Sequence, residues 1–154
     1  MPTPRRPRIL RPFGGAILAL ALVLGTSGSP RAGFDEGWTA YQKADFGAAL
    51  KHWQPLAQEG DRRAQYNLGV LFDEGKGVRQ DRDRAISWWQ KSAAQQFGPA
   101  QHNLANLHIA GDGVARDFER ALGLLKQAAN QGLARSQYTL GKMYAYGLGV
   151  AKDL

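Results

Sequence analysis

Apolar positions recur along this chain with the period of an α-helix. Successive helical residues advance by about 100°, so Ala64, Leu68, Leu71 and Phe72 share one stripe of a helix predicted over 64–74. The stripe returns as Ala100, Leu104, Leu107 and His108, and again as Ser136, Leu140, Met143 and Tyr144. A second helical pattern follows the first two of these, as Ala85, Ile86, Trp89 and Ala93, then as Ala121, Leu122, Leu125 and Ala129. Each such segment opens at an aspartate, Asp81 or Asp117, whose carboxylate can accept a free N–H of the first turn. Upstream, Ala49, Leu50, Trp53 and Ala57 repeat the second pattern within 45–60, and Phe34 to Lys43 can supply its first helix. The first helix of each pair is termed A and the second B.

The A-to-B connectors read DEGKGVRQD (73–81), IAGDGVARD (109–117) and AYGLGVAKD (145–153). Glycine and lysine together suggest a phosphate cradle, but a P-loop requires G-x-x-x-x-G-K-[ST], and here the spacing fails and no hydroxyl follows. Gly75, Gly111 and Gly147 are 36 residues apart, as are Asp81, Asp117 and Asp153, while the lysine slot reads Lys76, Asp112 and Leu148. A phosphate site would not vary its lysine in this way. Residues 64–99 and 100–135 share 13 identities in 36, where composition alone gives roughly two or three. The connector therefore belongs to an internal repeat, and its glycines serve turns that need positive φ. One helix pair cannot bury its own stripe. The expected fold is all-α, a right-handed α-solenoid of stacked antiparallel helix pairs. Its units are a tetratricopeptide-like pair over 33–63, full repeats over 64–99 and 100–135, and an incomplete repeat over 136–154. Leu140, Met143 and Tyr144 of the last unit lack a B helix to cover them. Either the array is longer or a second copy covers this helix by self-association.

The runs AQYNLGVLFDEGKGVRQDRDRAISWWQKSAAQQ and AQHNLANLHIAGDGVARDFERALGLLKQAANQG resemble Sel1-like repeats, relatives of tetratricopeptide repeats with a longer A-to-B loop. The resemblance extends over about 35–154. Departures fall at Ala105, where the other units carry Gly69 and Gly141, at His108 in an aromatic slot, and at Gln96, where Gly60 and Gly132 close helix B. The resemblance implies a non-enzymatic scaffold that presents a groove to a protein or peptide and uses no cofactor. The helical wheel agrees: opposite the apolar stripe of the A helices lie Tyr66, Val70 and Asp73, then His102, Asn106 and Ile109, then Tyr138, Lys142 and Ala145. These form three parallel rows suited to a peptide, if the A helices line the inner curve.

Charge narrows the partner class. The net charge of +7 owes +5 to Arg5, Arg6, Arg8, Arg11 and Arg31, leaving 15 basic against 13 acidic side chains afterwards. A nucleic-acid footprint is therefore not supported. Arg5, Arg6, Arg8 and Arg11 form the basic start of an export signal that, with a linker, occupies 1–32, and they are followed by the 12-residue apolar run FGGAILALALVL and the small residues GTSGS. A periplasmic or secreted chain is expected, with cleavage near Gly28 or retention as an uncleaved N-terminal anchor. The membrane enters only through this signal.

The chain has no cysteine, which excludes disulfides, thiolate metal sites and a Cys nucleophile. It has no S-x-x-K, K-T-G or G-x-S-x-G for β-lactam or acyl-transfer chemistry. Its three histidines, His52, His102 and His108, show no i, i+4 zinc spacing, and His108 is expected in the core slot of Phe72 and Tyr144. Trp89 occupies the core slot of Trp53. Trp88 is expected in packing as well, with a saccharide platform as the alternative role in an exported protein. A β-lactam- or peptidoglycan-acting enzyme is the remaining, weaker alternative.

Overall fold

The computed structural model describes residues 30–150, and these form seven helices. They are α1 (Pro30–Gln42), α2 (Phe46–Gln58), α3 (Arg62–Glu74), α4 (Arg82–Ala94), α5 (Gly98–Ala110), α6 (Phe118–Asn130) and α7 (Ala134–Ala145). The export signal lies outside the described residues, except that α1 begins at Pro30, inside the stretch expected as linker. No described helix is long and apolar enough to cross a membrane.

The ends follow from local chemistry. The Asp45, Asp81 and Asp117 carboxylates accept the N–H groups of Ala48, Arg84 and Arg120 at 2.9–3.0 Å. Asp61 accepts from both Arg63 and Ala64. Helices α3 and α5 stop at Gly75 and Gly111, with φ of +66° and +71°. The B helices end at a left-handed residue too, Gly60, Gln96 and Gly132. Gln96 takes φ of +57°, a conformation that a side chain disfavours. Gln96→Gly should therefore raise stability, by about 0.5–1 kcal/mol, measured by denaturant titration.

Each helix packs chiefly on its neighbours in sequence, so the pairs α1/α2, α3/α4 and α5/α6 stack, with α7 on the end. This is the α-solenoid that the repeat implied. The buried clusters span successive pairs: Trp53 lies with Leu68 and Leu71, Trp89 with Leu104 and Leu107, and Leu125 with Met143. Burial corrects the B stripe in one detail. Ser92 and Ala128 are fully buried while Ala93 and Ala129 are half-buried, because a residue seven positions after Ala85 or Ala121 returns to within about 20° of it. Ser92 Oγ satisfies itself by donating to the Arg62 carbonyl at 2.7 Å.

Two features fix how helices seat. The second glycine of each connector rests on the first residue of the preceding B helix, Gly77 on Phe46, Gly113 on Arg82 and Gly149 on Phe118. The connector is thus a spacer between repeats, and Lys76 points to Glu74 and the Tyr41 hydroxyl. The other feature is an interlock within pairs. Gly37 and Gly69 lie directly beneath the indoles of Trp53 and Trp89. The indole Nε1–H groups donate to the carbonyls of Phe34 and Tyr66 at 3.2 and 3.1 Å. In the next pair the same positions are Ala105 and Leu125, both fully buried.

Candidate functional site

The three A-helix rows occupy α3, α5 and α7, but their members differ in exposure. Tyr138 is 70 % exposed, and Asn106, Lys142 and Ala145 are exposed as well. Tyr66, Val70, Asp73 and Ile109 are half-buried. His102 is only 7 % exposed, which removes it as a ring open to a partner. Packing against residues later in the chain explains the difference. Tyr66 packs edge-on against Phe97 at 5.5 Å, and His102 reaches Ser136 on α7.

His102 organises what stays exposed. Its Nε2 accepts from the Asn106 amide at 3.1 Å and its Nδ1–H donates to Ser136 Oγ at 2.9 Å, so one neutral tautomer satisfies both bonds. The amide of Asn106 is thereby held at the surface. Burial, assisted by the Arg135 charge on α7, holds the imidazole below its ordinary pKa of 6.5. The unfolded chain therefore takes up this proton more readily than the fold. The contribution is complete above about pH 6.5 and is lost as pH falls through the lower folded value. Thermal melts between about pH 7 and pH 5 should show a steeper loss of stability for the native chain than for His102→Gln. Equal slopes would remove His102 as the cause.

Asp73 is engaged in a different way. Arg82 Nε lies 2.9 Å from its Oδ1, and Arg82 Nη1 lies 3.0 Å from Asp112 Oδ2, so one guanidinium joins the connectors of adjacent repeats. The Oδ1 oxygen is buried without an aligned hydrogen-bond donor. Burial raises the Asp73 pKa, opposed by Arg82 and reinforced by Glu74 and Asp112. Asp73 is a structural ion-pair member more than a free row residue.

A concavity on the opposite side escaped the helical-wheel reading. A cavity of about 710 Å³ lies between α2 and α4, floored by Leu68 and Phe72 and walled by Gln54, Gln58, Arg84 and Trp88. The Arg84 guanidinium sits 4.7 Å above the Phe72 ring and the Lys91 ammonium 4.3 Å above Trp88. A smaller groove of about 420 Å³ repeats the arrangement 36 residues on, with Gln90, Leu104, His108, Arg120 and Leu124 in the corresponding places. His108 is therefore a half-buried groove wall and not a core residue, its Nδ1 3.1 Å from the Ala115 carbonyl. The signal for these grooves was the 36-residue recurrence of Gln54 and Arg84 on the B helices. Among the described residues no group of His, Asp or Glu could hold a metal ion.

The Sel1 repeat profile matches residues 62–97, 98–133 and 134–154, each beginning two residues before the boundary expected from the spacing. Two solved structures are similar along most of the chain. One is a protective antigen of uropathogenic Escherichia coli displaying an SLR fold, with 32 % identity, a TM-score of 0.72, and coverage of 79 % of this chain and 27 % of the antigen. The other is a Sel1 repeat protein from Oxalobacter formigenes, with 28 % identity, a TM-score of 0.74, and coverage of 81 % and 53 %. This chain thus spans about a quarter and about half of their lengths. A search of curated proteins finds no match.

Proposed function

The chain belongs to the Sel1 repeat family, and from that premise we propose that its A-helix face holds a protein or peptide partner in the cell envelope. The coarse role follows from family and fold: a non-catalytic repeat scaffold for protein–protein contacts. The observation that carries the finer reading is the Asn106 amide, exposed yet pinned by the buried His102, with Tyr138 and Lys142 exposed on α7, the next A helix. A pre-oriented amide can bond an extended backbone without first losing side-chain freedom, and tyrosine adds contact area at low entropy cost. The basic, apolar and small-residue run over 1–32 supports a periplasmic or secreted location.

A second reading rests on the cavity between α2 and α4, where Trp88 stands beside Gln54, Gln58 and Arg84. Indole and amide groups together suit a saccharide. One experiment separates the two. A photoreactive phenylalanine is placed at 138, 106 or 88 and irradiated in intact cells. Protein adducts at 138 and 106 but not at 88 support the A-helix face. Adducts confined to 88, or carbohydrate-bearing adducts there, refute it.

A further inference from the structure

One junction between A helices carries a polar set that its counterpart lacks. Where α5 meets α7, His102 is hydrogen-bonded to both Ser136 and Asn106. The corresponding residues 36 positions earlier, where α3 meets α5, are Tyr66, Ala100 and Val70, packed in one cluster. The repeat therefore closes without the hydrogen-bonded set, and packing alone does not call for a buried imidazole and hydroxyl here. The set ends at the surface. Asn106 is exposed on α5, which has α3 before it and α7 after it among the A helices. One N–H of its amide is directed at His102 Nε2. Among the described residues its Oδ1 and its other N–H have no hydrogen-bond partner, so the amide offers one acceptor and one donor, which match the N–H and C=O of a peptide group.

We infer that His102 is a positioning residue that sets which groups Asn106 presents to the partner: an acceptor beside a donor while the ring is neutral, and donors alone once it is protonated. The inference rests on the A-helix face being the partner site. Its basis is the matching of donors to acceptors. In the neutral ring Nδ1–H donates to Ser136 Oγ and Nε2 accepts from Asn106. An imidazolium donates from both nitrogens, so Nε2–H then faces an N–H group. Rotation of the exposed amide about Cβ–Cγ brings Oδ1 round to accept it, while Ser136 Oγ goes on accepting throughout. The outward acceptor is thereby lost, and with it one of the two bonds available to an extended backbone. Burial opposes protonation, and of the charged groups on α3, α4, α6 and α7 the Arg135 guanidinium alone adds to that opposition. The turn of the amide therefore falls below the ordinary imidazole pKa of 6.5.

The test is NMR on the full, isotope-labelled chain, with no partner added. At about pH 7 the ring nitrogen shifts should report the Nδ1–H tautomer, and the Asn106 side-chain N–H protons should show Overhauser contacts to the His102 ring. As the pH falls, those contacts should disappear with the same midpoint as the ring titration. In His102→Gln the Asn106 amide should not titrate. An Nε2–H tautomer at neutral pH, contacts that persist after the ring is protonated, or unfolding before it is protonated would each overturn the inference. The consequence for the partner is read in cells from a photoreactive phenylalanine at 138. Its yield of protein adducts, relative to the same chain with His102→Gln, should fall about fivefold on acidification, the loss of one hydrogen bond. A level ratio would also overturn the inference. Absence of protein adducts at every pH would instead remove the A-helix reading while leaving the ring and amide signals as they are, so the two failures are told apart.

Discussion

Replacing Trp89 with alanine should destabilise the array by about 3–5 kcal/mol, the range for truncating a buried aromatic. The side chain is 3 % exposed, and its indole both fills the space above Gly69 and bonds the Tyr66 carbonyl. The informative experiment pairs this site with its glycine. Gly69→Ala alone should be destabilising by about 1–3 kcal/mol, because a methyl group enters the indole and one helix must shift. In a Trp89→Leu background the same change should be neutral or stabilising, since it recreates the Ala105–Leu125 pair that the next repeat already buries. Denaturant titrations of the four chains give the coupling term. Additive effects would mean that the two residues do not share one space.

Gly77→Ala should be clearly more damaging than Gly113→Ala, at about 2–4 kcal/mol from left-handed strain and overpacking combined. At φ of +70° the added Cβ would meet the Phe46 carbonyl carbon and oxygen, at 2.7 and 2.9 Å. Backbone inside a helix cannot turn aside. Gly113 has φ of +71°, but its Cβ would meet only side-chain atoms of Ile86 and Arg82, at 2.8 and 3.1 Å. Those can rotate, so Gly113→Ala should cost about 1–2 kcal/mol, chiefly the conformational strain. Equal losses at both sites would mean that φ alone governs and that seating on the preceding helix contributes little.

The fold was legible because its two determinants are both local. The stripe Ala64, Leu68, Leu71 and Phe72 is buried as the helical period requires, and the capping aspartates sit where the hydrogen bonds now show them. The site was less so, since its exposure depends on which helix lies alongside. A wheel drawn for α5 places His102 away from the apolar stripe. It cannot know that Ser136, one repeat later, stands within hydrogen-bonding distance. Tyr66, His102 and Tyr138 share one slot yet are half-buried, buried and 70 % exposed in turn. His108 failed for the converse reason. Its slot holds in the preceding repeat a Phe72 packed into the core beneath the Arg84 guanidinium, whereas the imidazole turns to the Ala115 carbonyl instead. The departure at Ala105 reads as a flaw on its own helix and makes sense only against Leu125. Gln96 keeps the left-handed turn of Gly60 and Gly132 despite its side chain, so chain geometry prevailed over residue preference there.

The glycine–indole interlock also decides how such a gene can change length by recombination. Excising residues 98–133 would join Phe97 to Ala134 and leave Gly69 under Trp89, with α7 meeting α4 through the seam that α5 now occupies. Excising an equally long stretch from Gly75 to Ala110 would join α3 to α6 and set Gly69 against Leu125, opening a hole where the indole had been. Both deletions preserve the reading frame and the period, yet only the first preserves every matched pair. Loss of a whole helix pair, with the breakpoint after a B helix, is therefore the deletion this packing accommodates, and a breakpoint between an A helix and its own B is the one it penalises.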